Sequence, residues 1–320
     1  MIRWGFLGAG FIAARALAPA VHAASGAVLH AAAARDPRRA RALGPERVHP
    51  SYEALVADPE VDAVYISLSN EAHLPWTLAA LEAGKHVLCE KPLGLTAGEV
   101  DLMEAARGQL HVVEASWYRW HPRVRLAQQR LVDIGRVEHV SAGFAFAGAL
   151  EGNYRLEVAR GGGALYDVGH YAVSAALWAV GRGLPADVAA RSRLHPSGVD
   201  LSTEAVLDWG GATAQVRAGI DEGLGQWLVI TGEHGEIELR DAPFTSWKED
   251  VTELWVSDGS GTQRVQISPA DAYQVMVEEM SSVLLGGPGW VLPLGESRET
   301  AAALDLIRAA AAVLPEEPPD

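Results

Sequence analysis

The sequence predicts an α/β protein of two domains, in which a doubly wound parallel sheet precedes an α+β domain with a large, mostly antiparallel open sheet. Two observations predict this class. The first 121 residues alternate short apolar strands with helices, and most of the remaining chain is a succession of strands separated by loops rich in Gly and Asp. We place the boundary after residue 121, giving domains 1–121 and 122–320. A chain of 320 residues is long enough for two separate cores.

The composition excludes several classes of protein. The net charge of -15 argues against a nucleic-acid backbone as the main partner. The first residues do not resemble a signal peptide, and no apolar run reaches the ~18 residues that a membrane span requires. The single cysteine, Cys89, excludes an intrachain disulfide and fits a reducing compartment, so we expect a cytoplasmic protein without a membrane partner.

The chain begins with a βαβ pattern: a strand over residues 2–7, a helix over 13–24 and a strand over 28–33. The first turn reads Gly8-Ala9-Gly10-Phe11-Ile12-Ala13. In this pattern Gly8 allows a tight turn, Gly10 lets the backbone approach a pyrophosphate, and Ala13 allows helix and strand to pack closely. The helix N-terminus adds N–H donors and a favourable dipole. We therefore predict a Rossmann dinucleotide-binding domain whose residues 8–12 bind the cofactor.

The end of the second strand bears on the choice between NAD and NADP. Ala34 stands where an NAD enzyme usually carries the carboxylate that binds the ribose 2′-hydroxyl. Arg35 follows, with Arg38 and Arg39 on the next turn, and guanidinium groups suit a 2′-phosphate. We predict NADP(H), bound by Ala34, Arg35 and Arg39. The alternative is that Asp36 binds the ribose of NAD.

Further candidates follow the later strands of the first domain. Leu68, Asn70 and His73 come at the carboxyl end of a strand over residues 63–68, just before a helix over 73–82 that stops at Gly84. Ligands of open α/β sheets bind at this edge, so we expect all three to line the cofactor site. Arg119 lies in an aromatic and cationic run over 117–122, and we expect it to face the cofactor as well.

The run Val87-Leu88-Cys89-Glu90-Lys91-Pro92 predicts a buried strand that ends in a Glu-Lys pair. Lys91 is one of only three lysines, against 23 arginines, and it would stand at a ligand-binding strand end. An ammonium that can lose its proton is useful there. We expect Glu90 to orient Lys91 and to shape the cofactor loop, and the Lys91-Pro92 bond is a candidate cis peptide.

In the second domain we predict a helix over residues 124–134, a strand over 137–146, seven further strands between 186 and 267, and closing helices over 270–285 and 297–313. The tail 315–320 is expected to fray. Within this domain, Gly161-Gly162-Gly163 lead into a helix that carries Asp167 and Tyr171. Residues four apart share a helical face, so the two side chains can grip a polyol and move a proton. We interpret His170 as structural, and we predict no metal site.

Together these motifs resemble the glucose–fructose oxidoreductase / inositol dehydrogenase / rhizopine catabolism (Gfo/Idh/MocA) family. The matching residues are 8–13, 83–92 and 161–171. Tyr171 and the run 118–122 resemble the branch of dihydrodiol dehydrogenases, NADP-dependent xylose dehydrogenases and glucose–fructose oxidoreductase. The resemblance implies that Lys91, Asp167 and Tyr171 line the catalytic site, that Ala34 and Arg39 flank the 2′-phosphate, and that the open sheet forms a homodimer or homotetramer.

The expected reaction is hydride transfer between a nicotinamide cofactor and a hydroxyl or carbonyl carbon of a sugar or related cyclic polyol or diol. Tyr171 is the first candidate for the proton carrier, with Lys91 polarising the substrate oxygen or acting itself as the acid. Asp167 would hold a second hydroxyl. Two alternatives stay open: an NAD-dependent inositol-type dehydrogenase, and a non-catalytic regulatory protein of the same fold that senses a dinucleotide.

Overall fold

The computed structural model describes residues 1–149 and 151–314, and the tail 315–320 lies outside this description. The chain forms two compact units. The first unit comprises Met1–Gly94, Gly98–Trp120 and Asp271–Arg298. The second comprises Leu95–Ala97, His121–Ala270 and the chain from Glu299 onward. Within the described ranges, no helix is both long and apolar enough to cross a bilayer.

Fifteen strands are present in the described chain. They are β1 (Ile2–Leu7), β2 (Ala27–Ala33), β3 (Arg47–Val48), β4 (Ala63–Ile66), β5 (His86–Cys89), β6 (Val112–Glu114), β7 (Val137–Ala147), β8 (Asp187–Leu194), β9 (Asp200–Asp208), β10 (Thr213–Gly219), β11 (Asp221–Gly232), β12 (Gly235–Arg240), β13 (Thr252–Asp258), β14 (Gly261–Ile267) and β15 (Ala311–Val313).

The same ranges contain nine α-helices. They are α1 (Ala18–Ala23), α2 (Pro37–Ala42), α3 (Tyr52–Val56), α4 (His73–Glu82), α5 (Ala97–Arg107), α6 (Pro122–Arg130), α7 (His170–Val180), α8 (Ala272–Leu284) and α9 (Leu294–Ala310). Two of them continue from a π-helical turn: Ala13–Leu17 leads into α1, and Leu165–Gly169 leads into α7. The first turn directly follows the predicted cofactor residues 8–12, and the second carries Asp167.

The first unit is built on a six-stranded parallel sheet in the order β3-β2-β1-β4-β5-β6. Its central strands read as near-continuous apolar runs because both faces are covered; all four residues of β4 are buried. The order of the strands reverses direction between β1 and β4. Doubly wound sheets bind their ligands at such a reversal. The structure thus confirms the predicted Rossmann-type domain.

The second unit contains a nine-stranded mixed sheet in the order β14-β13-β12-β11-β7-β10-β9-β8-β15. Every neighbouring pair is antiparallel except β10 with β7 and β15 with β8. Helix α7 packs on β7 and β10, and α6 packs on β12 and β13, which buries one face of the sheet. This confirms the predicted α+β class with a mostly antiparallel sheet.

Helix α8 departs from the predicted domain division, which assigned residues 122–320 to one domain. The structure groups Asp271–Arg298 with the first unit, where α8 packs on α1 and β2. Met276 and Met280 are fully buried, and the Trp4 indole donates to Ser281 Oγ at 3.2 Å across 277 residues of sequence. An apolar helix face does not reveal which core it will join, so the sequence pattern could not assign it.

The end of the chain also differs from the prediction. A helix was expected over residues 297–313, whereas α9 ends at Ala310 and Ala311–Val313 form β15. These residues pair in parallel with Ala190–Ser192 of β8. The open edge of β8 supplies hydrogen bonds to the backbone, and this tertiary pairing overrides the helix propensity of the alanines.

Candidate active site

The turn after β1 requires glycine at its first position. Gly8 has a φ of +97°, and a Cβ there would lie 2.3 Å from the carbonyl oxygen of Ser67. Gly10 differs, because its φ is not positive and a Cβ would meet only Ser67, with Oγ at 3.6 Å and the carbonyl oxygen at 4.0 Å. The fold therefore does not need glycine at position 10. Its missing side chain leaves open space at the helix N-terminus, as a closely bound pyrophosphate demands.

The carboxylate of Asp36 is engaged by its own helix. It accepts from the Arg38 N–H at 2.9 Å as the N-cap of α2, and from the Arg38 guanidinium at 3.2 and 3.1 Å. These bonds hold the pKa of Asp36 below its usual value. A ribose hydroxyl that bound Asp36 would compete for this carboxylate with the Arg38 guanidinium. Ala34 is half-buried, whereas Arg35 and Arg39 are exposed to solvent.

Tyr52, at the start of α3, lies beside the same arginines. Its ring contacts Trp76 edge-on, with the centroids 5.2 Å apart. Burial raises the pKa of the Tyr52 phenol, and the positive charges of Arg35 and Arg39 act in the opposite direction. The two guanidinium groups and the phenol therefore form one electropositive group at the end of β2. The sequence analysis identified the arginines but missed Tyr52.

The residues that follow β4 divide into two kinds. The Leu68 side chain lies beside Gly8, in the turn that is predicted to hold the cofactor. His73 is fully buried, with Nδ1 2.8 Å from the Pro92 carbonyl oxygen and Nε2 3.3 Å from that of Leu68. Burial lowers the pKa of His73, and the contacts with the Pro92 and Leu68 carbonyl groups act in the opposite direction. His73 therefore joins the loops after β4 and β5, and it can influence a cofactor only through them. Asn70 is also buried.

The Glu90-Lys91-Pro92 turn is held in place on both sides of Lys91. The Tyr65 hydroxyl donates to Glu90 Oε1 at 2.6 Å, and the Leu93 N–H donates to Glu114 Oε1 at 2.7 Å. The Lys91-Pro92 peptide is cis, as predicted. Burial raises the pKa of Glu90, while the Tyr65 bond and the Lys91 charge oppose that rise. Lys91 thus leaves the carboxyl end of β5 from a backbone with few alternative conformations.

Arg119 lies inside the first unit. Its side chain is 4% exposed, Nη1 donates to Glu296 Oε2 at 2.8 Å, and the guanidinium lies 5.6 Å from the Trp290 ring centroid. These contacts secure the segment Trp117–Trp120 to the start of α9. The predicted contact between Arg119 and the cofactor stays a prediction.

In the second unit, the three glycines fold tightly against two partners. A Cβ on Gly162 would lie 2.4 Å from the Arg155 carbonyl oxygen, and one on Gly163, whose φ is +115°, would lie 2.1 Å from Asp200 Oδ1. Asp200 also accepts from the Leu165 N–H at 2.8 Å, at the start of the π-helical turn. The glycines therefore fix how the chain enters the turn that carries Asp167.

Asp167 and Tyr171 are both buried, and each has a partner that the sequence analysis missed. The Arg155 guanidinium donates to the two oxygens of Asp167 at 2.6 and 3.3 Å. It also faces the rings of Tyr154 and Phe146, at 5.1 and 5.6 Å. Although burial alone would lower it, the pKa of Arg155 is raised, because the charge of Asp167 stabilises the guanidinium.

Tyr171 packs in an aromatic group with Phe144 and Phe244, at centroid distances of 5.7 and 5.8 Å. His170 is 1% exposed and meets the Tyr171 ring edge-on. Tyr171 also interacts electrostatically with Arg155. The second unit therefore presents a carboxylate, a phenol and a guanidinium in one buried cluster, which is a chemistry suited to hydroxyl groups.

A turn that leaves room for a pyrophosphate, two exposed arginines and an ordered lysine at a strand end define a dinucleotide-dependent oxidoreductase. Comparison with family models agrees. Residues 2–115 match the "Oxidoreductase family, NAD-binding Rossmann fold", and residues 124–238 match the "GFO/IDH/MocA C-terminal domain". The chain belongs to the Gfo/Idh/MocA family of NAD(P)-dependent oxidoreductases, as its motifs predicted.

Three relatives show the range of this similarity. The chain is 35% identical to D-xylose 1-dehydrogenase (NADP(+)) 2 of Haloferax volcanii, with 89% of each chain covered. It is 31% identical to trans-1,2-dihydrobenzene-1,2-diol dehydrogenase of Mus musculus, over 75% of this chain and 74% of that protein. The structure resembles KijD10, a 3-ketoreductase from Actinomadura kijaniata in complex with NADP and TDP-benzene, at 27% identity, 98% coverage of both chains and a TM-score of 0.89.

Proposed function

We propose that the protein transfers a hydride between NADP(H) and a hydroxyl or carbonyl carbon of a sugar or a related cyclic polyol or diol. The relatives support the substrate class, because their names include a pentose dehydrogenase, a cyclic diol dehydrogenase and a ketoreductase. The Asp167–Arg155 pair also supports it, since a carboxylate held by a guanidinium is a strong acceptor for a substrate hydroxyl.

Each catalytic side chain has a distinct role in this proposal. The bound nicotinamide supplies the hydride chemistry. Tyr171 carries the proton that leaves or reaches the substrate oxygen, a contribution worth about 10²–10⁴-fold. Lys91 polarises the same oxygen with its ammonium group. Asp167 accepts a hydrogen bond from a second hydroxyl and so orients the reacting carbon.

The observation that carries the catalytic proposal is the turn that presents Lys91, with hydrogen bonds at Glu90 and Leu93 on either side. We expect Lys91→Ala to abolish turnover while NADP(H) still binds, because the binding turn at Gly8–Ile12 is unchanged. Tyr171→Phe should lower kcat by at least ~10²-fold. A near-normal kcat for Lys91→Ala contradicts the mechanism, and a small effect of Tyr171→Phe moves the proton role to Lys91.

The double variant tests whether the two residues act on one substrate. If Lys91 and Tyr171 serve the same transition state, Lys91→Ala combined with Tyr171→Phe should lose little more activity than Lys91→Ala alone, because the effects of residues that act as a unit are not additive. Multiplicative losses would assign the two side chains to separate steps. A panel of aldoses, dihydrodiols and inositols, assayed in both directions, identifies the substrate.

The proposed preference for NADP(H) rests on two observations. The Asp36 carboxylate is already hydrogen-bonded to Arg38, and Tyr52, Arg35 and Arg39 form one electropositive group. Titration of the nucleotide-free protein by Trp fluorescence should give tighter binding of NADPH than of NADH. Arg35→Ala/Arg39→Ala should weaken NADPH alone, by about 10-fold or more, since each lost charge-assisted contact is worth about 1.5–3 kcal/mol. Tighter NADH binding that Asp36→Asn abolishes would establish the inositol-type alternative.

The open face of the second unit's sheet supports the proposed homodimer or homotetramer. Around a shallow depression on β7–β11 this face carries the side chains of Ala189 and Trp227, together with ion pairs of Glu204 to Arg191 and Arg217. Val206 is 43% exposed on the same face. Light scattering should give a multiple of 34.0 kDa, and Val206→Arg should lower it. A monomer at all concentrations contradicts this assembly. We also propose a cytoplasmic location, on the basis of the single, buried Cys89.

A further inference from the structure

A cluster of imidazole and carboxylate groups lies along the β2–β3 edge of the first unit, formed by His30, Glu46, Arg47, His49, Asp58 and Glu60. His30 projects from β2, and its side chain is 9% exposed. Its Nδ1 lies 2.7 Å from Glu46 Oε2, so Glu46 accepts the ring N–H. That bond fixes the tautomer and leaves a lone pair on Nε2, the arrangement common in metal-binding histidines.

The Nε2 atom of His30 is buried and has no hydrogen-bond partner among the described residues. It points at two carboxylates, with Asp58 Oδ2 and Glu60 Oε2 each 3.9 Å away. A buried acceptor without a donor is costly, and carboxylate oxygens cannot supply one. The nitrogen therefore requires a donor or a cation at the centre of this group.

The distances suit a small cation. One ligand atom each from His30, Asp58 and Glu60 lies within 4.8 Å of the other two. With bonds of about 2.1 Å, a tetrahedral ion separates its ligand atoms by roughly 3.4 Å, so the group needs only a small contraction. His49 Nε2 is hydrogen-bonded to one of these ligand atoms, Asp58 Oδ2, at 2.9 Å. Three carboxylates, counting Glu46, outnumber the two nearby cations Arg47 and Lys85.

Arg47 currently bridges the two carboxylates, with Nη1 2.7 Å from Asp58 Oδ2 and Nη2 2.7 Å from Glu60 Oε2. Its side chain is 46% exposed, so it can move into solvent without opening the core. An ion that binds here must replace this guanidinium. Arg47 is therefore a competitor for the site, and its removal should strengthen metal binding.

We propose that His30, Asp58 and Glu60 form a binding site for a divalent ion of the zinc class, separate from the residues assigned to catalysis. Imidazole nitrogen combined with carboxylate oxygen favours Zn²⁺ and Co²⁺ over Ca²⁺ and Mg²⁺, which take oxygen ligands. The sequence analysis predicted no metal site because these residues are spread from β2 to the loop after α3 and match no ligand spacing.

The test is calorimetric titration of Zn²⁺ into the full-length, untagged, chelator-treated protein, with Co²⁺ absorption as a second readout. We expect one saturable site, unaffected by millimolar Mg²⁺. His30→Gln should weaken it by at least about 100-fold, and Glu46→Gln by about 10-fold through the ring orientation. Arg47→Gln should tighten binding several-fold. His195→Gln, at a half-exposed histidine on a loop of the second unit, is the matched control and should change nothing.

If substitutions at the buried positions unfold the protein, Glu60→Gln still tests the proposal, because the Glu60 side chain is 50% exposed. It should weaken Zn²⁺ binding while the thermal unfolding of the metal-free protein stays unchanged. Three results overturn the proposal: no saturable binding at about 100 µM Zn²⁺ (a free energy near -5.5 kcal/mol), equal affinity in His30→Gln, or weaker binding in Arg47→Gln.

Discussion

The two units hold their functional side chains in different ways. In the first unit, turns of defined backbone conformation do so: Gly8 has a conformation that only glycine adopts easily, and Lys91 leaves a turn that the Tyr65 and Glu114 side chains bond on either side. In the second unit, side chains hold one another, as Arg155 does Asp167 and Phe244 does Tyr171. Single substitutions at these turns of the first unit should therefore abolish cofactor binding or turnover. Those in the second unit should reduce stability and turnover only in part.

The largest expected effect separates two glycines of the same turn. Gly8→Ala places a methyl group against the Ser67 carbonyl at an unfavourable φ, which should cost more than about 2 kcal/mol of stability and remove NADP(H) binding. Gly10→Ala is the matched control, because its Cβ has room. It should unfold at the wild-type temperature but bind NADP(H) at least about 10-fold more weakly. Thermal unfolding without cofactor and a fluorescence titration measure both. Equal stability of the two variants contradicts a backbone-held turn.

The difference between local turns and contacts made only on folding explains which features could be predicted from the sequence. The turn after β1 and helix α4 are local, and the structure shows α4 over His73–Glu82 with Gly84 at a φ of +74°, both as predicted. The cis Lys91-Pro92 bond was also predicted. Partners that meet only through folding were missed: Tyr65 for Glu90, Arg155 for Asp167, and the β2–β3 edge cluster. No periodicity specifies such pairs, because the two residues belong to different elements.

A second expected effect is acid instability of the second unit. His121 caps α6 through Nδ1, which accepts from the Arg123 N–H at 3.1 Å. Burial, together with the Arg123 charge, lowers the pKa of His121 from 6.5 to about 4. The unfolded chain therefore binds the proton first. This contribution to stability is complete above pH 6.5 and is lost as the pH falls toward 4, by about 3 kcal/mol in all.

Urea unfolding at several pH values measures this loss. His121→Asn keeps an N-cap acceptor but does not titrate, so the slope of stability against pH between 4 and 6.5 should become shallower. His195→Gln, at a half-exposed histidine, should leave the slope unchanged. An identical slope in His121→Asn would show that other groups govern the acid transition.

A smaller effect is expected at Arg155. Arg155→Lys keeps the charge but loses the paired bonds to Asp167 and the contacts with two aromatic faces, which should cost about 2 kcal/mol of stability. Because Asp167 then orients substrate less well, kcat should fall by about 10-fold while Kd for NADP(H) stays constant. Arg136→Lys in the same unit is the control, since Arg136 pairs with Glu233 at 2.8 Å. A fall in cofactor affinity instead would place Arg155 outside the substrate site.

The smallest expected effect is at Tyr65, where the first unit does rely on a side chain. Tyr65→Phe removes the 2.6 Å bond to Glu90 and should cost about 1–2 kcal/mol, because the acceptor is a buried carboxyl group. The pKa of Glu90, already raised by burial, should rise further when this donor is lost. Glu90→Gln and the double variant complete the cycle, and a coupling energy below about 0.5 kcal/mol would mean that the bond does not secure the turn. If the coupling is present but kcat is unchanged, then the bond from the Leu93 N–H to Glu114 suffices to position the Lys91 ammonium group. That result would show that the turn of the first unit tolerates the loss of one side-chain contact.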